Sequence, residues 1–95
     1  MDKNELTKMK RRVKTLQSQL CKLGPVMRGS VVIIGTRNKQ PYFSLNKNKK
    51  TRLIYLGKKK EDKAREYSKN YKKLLEIVEE MTIINMTLLK ENVCL

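Results

Sequence analysis

Residues 29–57 read Gly29-Ser30-Val31-Val32-Ile33-Ile34-Gly35-Thr36-Arg37-Asn38-Lys39-Gln40-Pro41-Tyr42-Phe43-Ser44-Leu45-Asn46-Lys47-Asn48-Lys49-Lys50-Thr51-Arg52-Leu53-Ile54-Tyr55-Leu56-Gly57, and the fold is decided here. Three short β-branched or aromatic runs stand between glycines, a proline and polar loops. They are residues 30–34, 42–45 and 51–56, and each has the composition of a strand. The polar connections 36–40 and 46–50 are too short for a crossover, so the strands form an antiparallel meander. A five-residue second turn places Leu45 opposite Thr51. Phe43, Leu45, Leu53 and Tyr55 then share one dry face that a helix can cover. Tyr42, Ser44, Arg52 and Ile54 share the open face, with Tyr42 beside Arg52.

The flanks are helical. Upstream, Leu6, Met9, Val13, Leu16, Leu20 and Leu23 recur at spacings of three and four, a heptad stripe along one face. Asp2 with Glu5 three residues on forms a capping box. Gly24-Pro25 ends this helix, near residue 23, with Gly24 suited to a left-handed cap. Downstream, residues 59–92 carry a second stripe through Ala64, Tyr67, Tyr71, Leu74, Val78, Met81, Asn85 and Leu88. Glu61 and Asp62 suit its first turn, where negative charge favours the helix dipole. Leu75, Ile77, Ile83, Ile84, Met86 and Leu89 add apolar surface beyond the stripe.

The expected architecture is therefore α+β in a single domain over residues 1–95. A helix at about 3–23, a meander at 29–57 and a long helix at 59–92 follow one another, and the two helices lie antiparallel with the sheet at one end. The last helix is the longer, and its apolar end is expected to meet a second copy of the chain through Leu74, Val78, Met81, Ile84, Asn85 and Leu88. Asn85 at a seam position can fix register in such a dimer.

Composition narrows the chemistry. The 95 residues hold 23 Lys and Arg against 9 Asp and Glu, a net charge of +14, with no His and no Trp. Without His the usual general base and the commonest transition-metal ligand are missing. Two Cys cannot close a tetrahedral zinc site. Glu76, Glu79 and Glu80, the nearest approach to a carboxylate cluster, suit a solvated helix face. An enzyme is disfavoured, and no metal or cofactor is expected. The longest charge-free run in the apolar C-terminal region, residues 81–89, falls far short of the ~20 apolar residues of a membrane span. The N-terminus has no apolar signal core. The chain is expected to be cytoplasmic, with Cys21 and Cys94 reduced and too far apart to pair.

Charge distribution points to a partner. Residues 25–57 hold seven cations and no anion, whereas residues 74–95 hold one cation and four anions. Such self-repulsion costs stability unless a polyanion offsets it. A solvated face reflecting the Lys-rich composition is the plain alternative. The expected nucleic-acid contacts are Arg28, Arg37, Lys39, Lys47, Lys49, Lys50 and Arg52, with Tyr42 as a stacking surface. Lys58, Lys59 and Lys60 continue the patch, and Arg11 and Arg12 add to it from the first helix. The composition does not distinguish DNA from RNA. Tyr67 and Tyr71 lie in the helical stripe and read as core. A second reading is a protein-interaction module that docks on a nucleoprotein complex through its apolar tail.

Val26-Met27-Arg28-Gly29-Ser30-Val31-Val32, Pro41-Tyr42-Phe43 and Lys50-Thr51-Arg52-Leu53-Ile54-Tyr55-Leu56, with Asn70-Tyr71-Lys72-Lys73-Leu74, Glu79-Glu80-Met81 and Ile84-Asn85, resemble a family of small bacterial and archaeal proteins associated with mobile elements. The resemblance spans roughly residues 26–90. It implies the same order of elements and a mobile-element or phage setting, and it supplies no activity. Many members carry a Cys cluster between the first two strands that looks metal-binding. Here that connection, residues 35–40, has no Cys.

Overall fold

The computed structural model describes residues 2–93. Its elements are α1 (Lys3–Cys21), β1 (Ser30–Ile34), β2 (Gln40–Lys47), β3 (Lys50–Tyr55) and α2 (Gly57–Lys90). The fold is α+β, with one antiparallel sheet ordered β1-β2-β3. Residues 2–23 and 73–93 form one compact unit, and residues 24–72 form another.

In the helical unit, the Asp2 side chain accepts from the Glu5 backbone N–H at 2.8 Å and starts α1. All six positions of the first stripe are withdrawn from solvent, with Val13 and Leu16 buried, and every other side chain of α1 is exposed. α1 ends at Cys21 with Lys22 as a right-handed cap. Gly24 is not the left-handed cap expected: its φ is not positive, because the backbone carbonyls of residues 18–20 are already met by the N–H groups of Lys22 and Leu23. Of the eight positions of the second stripe, seven are buried or half-buried and only Val78 departs. Ile77 is buried (4% exposed), whereas Val78 is open (46%). A heptad leaves both flanks of a stripe equally available, and packing within this unit selects the Leu74, Ile77, Met81, Ile84, Leu88 line.

The sheet unit is built around Phe43, Leu56 and Ala64, with Met27 and Val31 against them. Burying the Phe43 ring is worth about 2–3 kcal/mol. Residues 24–29 are fastened to α2 by three hydrogen bonds. Met27 N–H donates to the Tyr67 carbonyl at 3.1 Å, Asn70 Nδ2 to the Pro25 carbonyl at 2.9 Å, and Ser68 Oγ to the Gly29 carbonyl at 2.7 Å. Gly29 has φ +151°, and a Cβ there would lie 2.5 Å from the Ser44 carbonyl oxygen and 2.7 Å from the Phe43 ring. Only glycine lets the chain pass this close to β2.

The register differs from expectation by one residue. Tyr42 pairs with Tyr55, Phe43 with Ile54, Ser44 with Leu53, Leu45 with Arg52 and Lys47 with Lys50. The turn is two residues long, Asn48 and Lys49, both at positive φ (53° and 62°), the pattern of a type I′ hairpin. A two-residue turn matches the twist of the strands better than the five-residue loop expected. It moves Leu53 and Tyr55 off the helix-covered face and puts Ile54 and Arg52 on it.

α2 also starts earlier than expected, at Gly57, so its first turn holds Lys58, Lys59 and Lys60 and no acid. Glu61 and Asp62 belong to the second turn. Glu61 is bound there by Arg65 at 2.9 Å. Cys21 is a free, exposed thiol, and Cys94 lies outside the described residues.

Candidate nucleic-acid interface

Charge is concentrated in the sheet unit. Residues 24–72 hold 14 Lys and Arg against three Asp and Glu, which is +11 of the chain's +14. Two of those three acids are engaged locally, Glu61 by Arg65 and Glu66 by Lys63. Among the described residues no salt bridge engages Arg28, Arg37, Lys39, Lys47, Lys49, Lys50, Arg52, Lys58, Lys59 or Lys60. All ten are exposed.

Topology gathers these cations at the two ends of β2. At one end, Lys47 and Lys50 face each other as the last pair of the hairpin, Lys49 forms the turn and Arg52 follows on β3. Arg28 joins them, donating from Nη1 to the Asn46 carbonyl at 2.9 Å. At the other end, Arg37 and Lys39 lie in the β1–β2 connection, and β3 runs into the Lys58, Lys59, Lys60 turn of α2. Eight residues of β2 separate the clusters by about 26 Å. Both placements are unfavourable in isolation. Like charges directly opposite on paired strands repel, and cations in the first turn of a helix oppose its dipole. A bound anion relieves both.

Between the clusters the sheet has two unlike faces. Val31, Phe43 and Ile54 lie toward α2, while Lys47, Lys50 and Arg52 extend that same face at the hairpin end. On the opposite face stand Val32, Ile34, Gln40, Tyr42, Ser44, Asn46, Thr51, Leu53 and Tyr55, with no charged residue among them. Tyr42 and Tyr55 are edge to face, with centroids 5.5 Å apart. Tyr55 Oη donates to Gln40 Oε1 at 3.2 Å, and Thr51 Oγ1 donates to Asn46 Oδ1 at 2.6 Å. Tyr55 is 58% exposed. Arg52, expected beside Tyr42, is on the other face.

Beside β1, Ser30, Val31, Arg65, Ser68, Lys69 and Lys72 line an open groove of about 350 Å³. Lys69, Lys72 and Tyr55 are absent from the sequence-based site. The helical spacing of Arg65, Lys69 and Lys72, at four and three residues, was the available signal for that groove. For Tyr55 there was none without the register. Arg11 and Arg12 belong to the helical unit. Arg12 is already spent on Glu80, through two 2.8 Å hydrogen bonds. Of the expected dimer seam, Leu88 is buried within the chain at 1% exposure. Leu74, Met81, Ile84 and Asn85 are half-buried, and only Val78 is open. No helix among the described residues is long and apolar enough to cross a membrane.

Compared with known proteins, the chain matches no protein-family description, no curated protein and no solved structure.

Proposed function

We propose that this is a non-enzymatic nucleic-acid-binding protein whose basic meander and adjoining start of α2 contact a phosphate backbone. The observation that carries the reading is the +11 sheet unit, whose candidate cations have no carboxylate partners among the described residues. Phosphates fill that role, because each Lys or Arg contact releases condensed counterions. The mobile-element or phage setting and a cytoplasmic location belong to the same proposal, the former carried by the sequence resemblance alone.

Replacing Lys47, Lys49, Lys50 and Arg52 together by Glu should abolish binding of a mixed-sequence oligonucleotide. The unaltered protein should lose affinity steeply as salt rises, with a log–log slope of about −0.7 to −0.9 per phosphate contact. Unchanged affinity and a flat salt response would falsify the reading.

A second reading, a protein-interaction module, is favoured by one observation. Leu75, Val78, Ile83, Met86 and Leu89 leave an apolar strip exposed on α2. That strip, rather than the half-buried seam, is the surface on which a second copy or a nucleoprotein complex would dock. A nuclease-resistant protein complex that is lost on Met86→Lys, with oligonucleotide affinity retained, would favour it.

A further inference from the structure

The open sheet face has no use in phosphate contact. It is uncharged from Ser30 to Tyr55, and it lies between two groups of cations about 26 Å apart. We infer that this face is a stacking platform selective for single-stranded nucleic acid, with Tyr55 as the main contact and Tyr42 as its buttress. The inference rests on the nucleic-acid reading above.

The physical reason lies in what each form of nucleic acid presents. A duplex turns phosphates outward and hides the faces of its bases. A single strand offers base faces and phosphates together. Base faces stack on aromatic rings with little regard to sequence, while flanking cations track the backbone. Tyr55 is held ready for this. Its hydroxyl is fixed by Gln40, its ring meets Tyr42 at 67°, and more than half of its surface is free. With Tyr42 set across it at a steep angle, Tyr55 is the one ring expected to carry a strong stack.

A second copy of the sheet is the rival occupant of an open apolar face. Face-to-face docking would bring together two copies of a strongly basic unit, each with the Lys49 turn at one end of the open face and the Lys58, Lys59, Lys60 turn of α2 at the other. Two units of +11 oppose such an encounter. A polyanion complements both ends of the face at once.

The test is anisotropy titration of the intact chain with a labelled pyrimidine strand of about 12 nucleotides, and with the duplex of the same sequence at the same salt. The single strand should bind more tightly. Tyr55→Leu keeps apolar cover at an exposed strand position, so folding is retained and checked by circular dichroism. It should weaken single-strand binding about tenfold and leave duplex binding unchanged. Tyr55→Phe should retain affinity, because the ring and not the hydroxyl does the stacking. Equal binding of both forms, with Tyr55→Leu silent, would overturn the platform and leave the phosphate reading standing. So would a single-strand preference untouched by both Tyr55→Leu and Tyr42→Leu. So would a dimer that Tyr55→Leu dissociates and the oligonucleotide does not. Loss of all binding by the unaltered protein would remove both.

Discussion

Asn48 and Lys49 take up left-handed backbone conformations, and the composition of both sheet faces follows from them. Asn accepts this region because its short amide can bond locally, whereas Lys does so only at a steric cost. Lys49→Gly should therefore stabilise the protein by about 0.5–1 kcal/mol, the strain relieved outweighing the extra freedom of the unfolded chain. Urea unfolding would show a raised midpoint at unchanged slope, and a lowered midpoint would mean that the turn is not of this type. The polar run 46–50 was legible as a turn. Which two of its five residues turn was not, because Asn-Lys lacks the glycine that marks a type I′ hairpin outright. That one-residue slip hid Tyr55, since a shift of one moves every side chain of β3 to the opposite face.

The helices differ in how much their own residues reveal. α1 has one apolar stripe and polar residues everywhere else, so its buried face is read directly. α2 has apolar residues on several sides, and packing chose Ile77 over Val78. The Arg12–Glu80 pair was also illegible, because 68 residues separate its partners. The Arg12 guanidinium holds the Glu80 carboxyl below its ordinary range, through its hydrogen bonds first, with lost hydration opposing them and its charge adding the least. A depressed carboxylate stabilises the folded state above the ordinary pKa of about 4.3 and loses that contribution as pH falls through the lowered value. Tm of the unaltered protein should exceed that of Glu80→Gln at pH 7, and the gap should narrow as pH falls below the ordinary carboxylate range. A gap independent of pH would mean that the pair contributes packing and not charge.

Over the whole molecule, charge is concentrated in one unit, whereas exposed apolar surface is found in both. Cations crowd residues 24–72, and the apolar strip of α2 at Leu75, Val78, Ile83, Met86 and Leu89 lies in the other unit. Self-association through that strip should strengthen with salt, which screens the repulsion between two +14 chains. Light scattering should give twice the 11.2 kDa mass of one chain, and Met86→Lys with Leu89→Lys should return it to one. A monomer at every salt concentration would dismiss the dimer. The amino acids by themselves determined the order of helix, meander and helix, the face that α1 buries, and the acid-free basic centre. Those depend on local period and on counting charge. Tertiary structure alone decided the strand register, the flank of α2 that is buried, and the pairing of Tyr42 with Tyr55. Each of these is a choice between arrangements nearly equal in local energy, settled by contacts between residues distant in the chain.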